Sequence, residues 1–363
     1  MALILSLLLC YGAAAAQDFD RALSPRTFVF PTDHGDHPTF QTEWWYITGQ
    51  LQAQDGAQYG YQLTFFRRAF GRQGALSPQR PSDLAMGDLI IYHAALTDIG
   101  QGRFHQVEDF GRRASNWAGA AADSLDVHLY GHWLKAQADG SFKASFSLQQ
   151  QRLELHLTPS RPPVLHGLQP GLSPKGPEPG QASYYYSIPR LATQGFLDTG
   201  QKRQSVRGTS WFDHEFGSNQ LDTGQVGWDW FAVSLSDGSD LMLYLLRYRD
   251  NRPPSAAGTL VEPDGTVHYL PATAFQVEPQ SHWTSPHSGA RYPAAWEVIL
   301  LGHDLQLTVE PLLADQELQT GGSTGVTYWE GLCRFFGQRR GQSVEGKGYV
   351  ELVGYAGAFM GGL

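Results

Sequence analysis

The chain reads with a period of two almost from end to end. "TEWWYITGQLQ" (42–52) and "QYGYQLTFFRRAF" (58–70) alternate around "AQDGA", and further strand-like runs lie at 88–99, 125–137, 141–149 and 151–159. Successive side chains of a strand point to opposite faces, so this period specifies β-structure rather than amphipathic helix. Asp55-Gly56 and a second "ADG" at 138–140 supply tight turns between antiparallel neighbours. No segment offers a helix longer than two turns. A fresh series starts at "GQVGWDWFAVSLSDGSDLMLYLLRYRD" (224–250), turns at Asp237-Gly238, and continues through 258–270, 292–301, 304–312, 325–337 and 347–356. "EWWYITGQLQAQDGAQYGYQLTFFRR" and "GWDWFAVSLSDGSDLMLYLLRYR" share one layout: aromatic run, DG turn, aromatic run, arginine. This internal repeat predicts an all-β chain of two similar antiparallel barrels in tandem, joined near residue 215.

A chain of 363 residues, 41% hydrophobic and 12% aromatic, can bury a core in each half. A net charge of −9, with no long Lys/Arg cluster, disfavours nucleic acid as a partner. The opening "MALILSLLLCYGAAAAQ" is an apolar run followed by Ala14-Ala15-Ala16, which fits a signal peptide over 1–16 cleaved before Gln17. That predicts a periplasmic or secreted protein; acylation of Cys10, giving a lipid anchor, is the alternative. No later run reaches the ~18 apolar residues of a membrane span. Cleavage leaves Cys333 as the only cysteine, so neither an internal disulfide nor a cysteine metal site is expected. The loop "PSRPPVLHGLQPGLSPKGPEPGQ" (159–181) is longer than a connector needs, which marks it as functional.

The chemistry concentrates in "FDHEFGS" (212–218) and "GWDWF" (227–231). Alternation puts Asp229 on one face with Phe231, Val233 and Leu235, and Glu43 on one face with Trp45, Ile47 and Leu51. Each barrel thus carries one inward acid among aromatics. A buried carboxylate must be paired or take a raised pKa, and a raised carboxyl beside a cavity is a general acid. The competing reading is that Arg67, Arg68, Arg247 or Arg249 pairs with these acids and ties strands together. His214 is either a satisfied junction histidine or a catalytic base, and Asp213 and Glu215 read as turn caps and bridges between domains. The Tyr184-Tyr185-Tyr186 run reads as core and rim, or as ligand contact. The histidines form no HxH or HExxH arrangement, so no metal is expected. No GxSxG elbow, P-loop or dinucleotide fingerprint appears, and no cofactor is called for.

"HPTFQTEWWYITGQL", "YGYQLTFFRR", "PPVLHG", "GLSPKGP", "ASYYYS", "FDHEFGS", "GQVGWDWFAVSL", "LMLYLLR", "SGARYP" and "YWEG" resemble the AttH-type lipocalin-like proteins, relatives of the bacterial carotenoid 1,2-hydratases (hydroxyneurosporene synthases). The resemblance runs from about residue 35 to 356. It implies two tandem lipocalin-like barrels, 28–215 and 216–363. The hydratases add water to a terminal isoprenoid double bond without a cofactor, and some fungal relatives act as pericyclase-like enzymes. By that resemblance His214, Phe216 and Asp229 are the matching positions, although the family commonly has Trp where Phe216 stands.

One reading is therefore an acid–base hydratase or isomerase acting on an apolar isoprenoid or lipid-like substrate. Asp229 would protonate the alkene and His214 would orient water. Phe216, Trp228, Trp230, Glu43, Trp45, Tyr61 and Tyr185 would line the site. The second is a non-catalytic exported carrier of an apolar ligand, with a functional link to a membrane transporter. A secreted hydrolase is the third.

Overall fold

The computed structural model describes residues 19–70, 87–114, 116–218, 221–222 and 224–358. The signal-like segment 1–16, with Cys10, lies outside the described residues.

Two antiparallel sheets build the molecule. The first has 13 strands and curls into a nearly closed barrel. Its path runs Arg103–Arg112, Asp88–Asp98, Gln58–Ala69, Thr42–Ala53, Arg203–Gly217, Ala182–Asp198, Gln151–Pro159 and Phe142–Leu148, then through three short strands between Ala118 and Ala136. The second has 10 strands and forms a half-barrel. Its path runs Val267–Pro271, Ser255–Val261, Asp240–Tyr248, Gln225–Leu235, Gln342–Val353, Val326–Arg339, Leu305–Pro311, Arg291–Leu300 and Phe275–Thr284. Among the described residues, helical structure is confined to two 3-10 turns, Thr32–His34 and Ala272–Ala274. The all-β expectation is met.

The internal repeat reappears as topology. Thr42–Ala53 lies between its hairpin partner Gln58–Ala69 and Arg203–Gly217, the last strand of its sheet. Gln225–Leu235 lies between its hairpin partner Asp240–Tyr248 and Gln342–Val353, again the last strand of its sheet. Arg203–Gly217 stays in register with Thr42–Ala53 to its final residue, and Gln225 opens the second sheet.

Inward-facing side chains fill each half. Trp45, Phe65, Tyr92, Phe142 and Phe146 occupy the first barrel, so its interior is a packed core rather than a hollow cup. One end is crossed by the segment before Thr42, where Phe30 and His34 pack on Tyr186 and Phe40 packs on Phe216. Phe231, Trp296 and Trp329 anchor the second core. A third apolar cluster joins the two sheets through their outward faces. It includes Tyr46, Tyr185 and Trp211 from the first sheet and Trp230, Tyr244, Leu332 and Tyr349 from the second. The central strands are therefore buried on both faces.

Candidate functional site

Two inward-facing residues of different barrels point away from each other; two outward-facing ones can meet. This decides where the sequence-predicted residues go. Asp229 faces inward as its alternation predicts, but into the second half. There Arg247 Nε lies 2.9 Å from its Oδ1, and the Tyr355 hydroxyl donates to both oxygens at 3.1 Å. Burial pushes its carboxyl up against the opposing Arg247 charge. His214 faces into the first barrel, fully buried, with Nε2 2.8 Å from Glu43 Oε1. The expected pairing of Asp229 with a water-orienting His214 is therefore not formed.

Around His214 the structure gathers Glu43, Trp45 and Phe216. Trp45 stacks on His214 at 5.1 Å between ring centroids. Phe216 stacks on His37 at 3.6 Å and 8°. Glu43 also pairs with Arg67 and His37. Burial alone would raise the Glu43 carboxyl, but the His37 charge, hydrogen bonds with His214 and His37, and Arg67 hold it well below the usual carboxylate range. Burial depresses His214. For His37, burial is outweighed by Glu43 and Asp33, and its pKa is raised. Tyr61 lies in the same barrel, its hydroxyl 2.6 Å from Ser210 Oγ.

The remaining predicted residues, Tyr185, Trp228 and Trp230, meet in a different place, a cavity of about 250 Å³ between the outward faces of the two sheets. Register explains its composition. On the first sheet, Trp44 sits opposite Glu215 and Tyr46 opposite Asp213. On the second, Trp230, Glu351 and Glu330 form one rung across three strands. Asp213 and Glu215 are thus mid-strand cavity residues rather than turn caps, because they alternate with the inward Phe212, His214 and Phe216. Asp213 accepts hydrogen bonds from Tyr185 and Trp211, each at 2.6 Å, and from Ser187. Burial nevertheless pushes its carboxyl up to about 7. Lys175, delivered by the long 159–181 loop, lies 2.9 Å from Glu215 and sits over the rings of Tyr185 and Tyr244.

Glu330 and Glu351 are the residues the sequence reading missed. They are direct cross-strand neighbours, and among the described residues no ion pair neutralises either. Tyr46 donates to Glu330 at 2.7 Å, and Trp228 Nε1 donates to Glu351 at 2.8 Å. Burial and the facing Glu351 push the Glu330 carboxyl well above the carboxylate range. Burial, against the Trp228 hydrogen bond, pushes Glu351 up to about 7. One signal was available: in "TYWEGL" Glu330 alternates with Tyr328 and Leu332, so an acid stands on an outward face that is otherwise apolar.

A two-sheet β-protein with an acid-lined, aromatic cavity between its halves is the class that fold and site define. The AttH-like family pattern matches residues 21–355, and the chain belongs to that family. A solved protein from Nitrosomonas europaea, described as a candidate AttH, is 34% identical over 93% of this chain and all of that one, with a TM-score of 0.84. Kievitone hydratase from Nectria haematococca shares the fold at a TM-score of 0.71 and 15% identity, covering 94% of this chain and 97% of that one. The dehydratase asqC of Emericella nidulans is 28% identical over 183 residues, 47% of this chain and 50% of that protein. The match thus spans about half the length of that curated relative.

Proposed function

We propose that the chain is a hydratase or dehydratase that works in the cavity between the sheets, with Glu330 and Glu351 as its acid–base pair. The observation that carries this reading is a buried and a partly buried carboxyl facing each other among aromatics, with no ion pair to either among the described residues. Like charges this close cannot both ionise, so one holds a proton as general acid and the other is free to act as general base. In hydration, Glu330 would protonate an alkene carbon while Glu351 takes a proton from the attacking water. In dehydration, Glu330 would protonate the departing hydroxyl and Glu351 would remove a proton from the neighbouring carbon. The faces of Trp44, Trp228 and Trp230 would stabilise positive charge that develops on the substrate. The names of two relatives, a hydratase and a dehydratase, support this class of reaction.

A cavity of about 250 Å³ walled by Trp44, Trp228 and Trp230 suits a small apolar, alkene-bearing substrate or the end group of a longer isoprenoid. The packed interior of the first barrel weighs against a carrier that holds its ligand there. We also propose that the protein is exported, on the strength of the 1–16 segment. N-terminal sequencing from the native host should then find Gln17; intact Met1 in the cytoplasm would refute export. The reaction is tested by incubating the protein with apolar alkenes and tertiary alcohols in heavy-oxygen water and following label by mass spectrometry. Label entering substrate with wild type but not with Glu330→Gln supports the reading. Equal labelling with both proteins sinks it.

A further inference from the structure

We infer that His37, Glu43 and His214 form a binding site for a single divalent cation of the zinc class, separate from the cavity between the sheets. His37 Nδ1 lies 2.7 Å and His214 Nε2 lies 2.8 Å from the same oxygen, Glu43 Oε1. The three ligand atoms lie within 4.8 Å of one another. Two imidazoles and one carboxylate are a donor set that zinc and its neighbours favour, with a fourth position left for water.

The supporting shell is what singles this cluster out. His37 Nε2 is 3.0 Å from Asp33 Oδ1. A carboxylate only accepts, so without a metal both ring nitrogens of His37 donate, to Asp33 and to Glu43; a cation would replace the Nδ1 proton while the Nε2–H stays on Asp33. His214 Nδ1 is 3.1 Å from the Asp33 backbone carbonyl and 3.0 Å from the Tyr186 hydroxyl. Without a metal, Nε2 donates to Glu43; the tautomer that donates from Nδ1 to that carbonyl would free Nε2 for a cation. The second Glu43 oxygen accepts from the His37 backbone N–H at 2.8 Å and from Arg67 at 3.2 Å. Every ligand therefore has its other polar atom held, which is the arrangement that orients ligands around a metal. The rings are fixed as well, His37 against Phe216 and His214 against Trp45.

Without a metal, ring protons lie between both histidines and Glu43, and a cation would take their place. Metal–ligand bonds of about 2.0–2.1 Å place neighbouring ligand atoms about 3.3 Å apart in a tetrahedron, so each histidine nitrogen need move from the Glu43 oxygen by only about half an ångström. The His37 side chain is 11% exposed, which gives an ion a path from solvent.

The test uses the full chain, freed of metal by a chelator and titrated with Zn²⁺ by calorimetry and with Co²⁺ by visible absorption. One ion per chain is expected, with the intense absorption of low-coordinate Co²⁺. His37→Gln, checked for fold by circular dichroism, should abolish binding. Asp33→Asn should weaken it by roughly 10–100-fold, the effect of losing an outer-shell partner. Anomalous scattering from zinc-grown crystals of wild type locates the ion independently of any variant. An ion at His37, Glu43 and His214 supports the site. No binding of either metal, an ion found only elsewhere, or undiminished binding by folded His37→Gln overturns it and leaves the cluster a hydrogen-bonded junction.

Discussion

Glu330 and Glu351 face each other across adjacent strands at the cavity wall, Glu330 buried and Glu351 partly buried. Glutamine keeps their shape and removes the proton chemistry. Glu330→Gln and Glu351→Gln should each lower turnover by roughly 10²–10⁴, the usual loss for a general acid or base. Affinity for an apolar ligand should stay within about tenfold, ~1.4 kcal/mol, because aromatic contacts carry binding. Wild-type kcat/KM should show a limb near the Glu351 pKa of about 7, and that limb should disappear in Glu351→Gln. Asp229 serves as the contrast. Its carboxylate is tied to Arg247 and Tyr355 within the second half, so Asp229→Asn should leave turnover unchanged. It should cost stability instead, about 1–3 kcal/mol for a partly exposed pair, measured by urea denaturation.

At the scale of elements, close packing of backbone on backbone fixes the central strands. Gly208 crosses Thr42–Ala53 where a Cβ would lie 1.8 Å from the Gln50 carbonyl oxygen. Gly208→Ala must push those two strands apart, and a loss of about 1–3 kcal/mol in urea unfolding is expected. The 159–181 loop behaves as a strap rather than a loose connector. Arg161 donates to the Glu262 carbonyl at 2.9 Å, His166 Nδ1 lies 2.8 Å from Thr259 Oγ1, and Gln225 donates to the Lys175 carbonyl at 2.6 Å. Short strands Val164–Leu165 and Leu172–Pro174 pair it to Ala182–Asp198. Limited proteolysis of the folded protein should therefore leave this loop intact despite its proline- and glycine-rich sequence. Early cleavage within it would show that the strap opens.

For the whole molecule, buried titratable groups confine stability from both sides of pH. His34, His93 and His166 are each depressed to about 3, chiefly by burial. Unfolding lets them bind protons near their ordinary pKa of 6.5, so their contribution is present above about pH 6.5 and is lost as pH falls. Asp213, Glu330 and Glu351 are raised, chiefly by burial. Below their unfolded pKa of about 4 they cost nothing; between there and about 7 the folded state binds more protons, so stability declines as pH rises. The two windows overlap between about pH 4 and 6.5, where their slopes oppose, so thermal unfolding should show a broad plateau there, with stability falling below about pH 4 and again above about pH 6.5. The alkaline limb should flatten in the Glu330→Gln/Glu351→Gln double variant, bringing its stability at pH 8 close to its stability at pH 6. An unchanged alkaline limb in that variant would mean the two carboxyls ionise freely in the folded state.

Local alternation by itself determined the strands, the turns at Asp55-Gly56 and Asp237-Gly238, the all-β class and the inward direction of Glu43 and Asp229, because side-chain direction in a strand depends only on the pleat. The paired hairpins made the two-part architecture legible as a repeat. What alternation could not decide was which outward faces become inward to the molecule as a whole. Trp44, Tyr46, Asp213, Trp230, Glu330 and Glu351 come from five strands, and only the stacking of two sheets encloses them. The grouping of His214 with Glu43 and His37 likewise depends on closure of the first barrel and on the segment that crosses its end. A pleat fixes direction one residue at a time; a site requires several directions to converge, and that convergence is set by long-range packing.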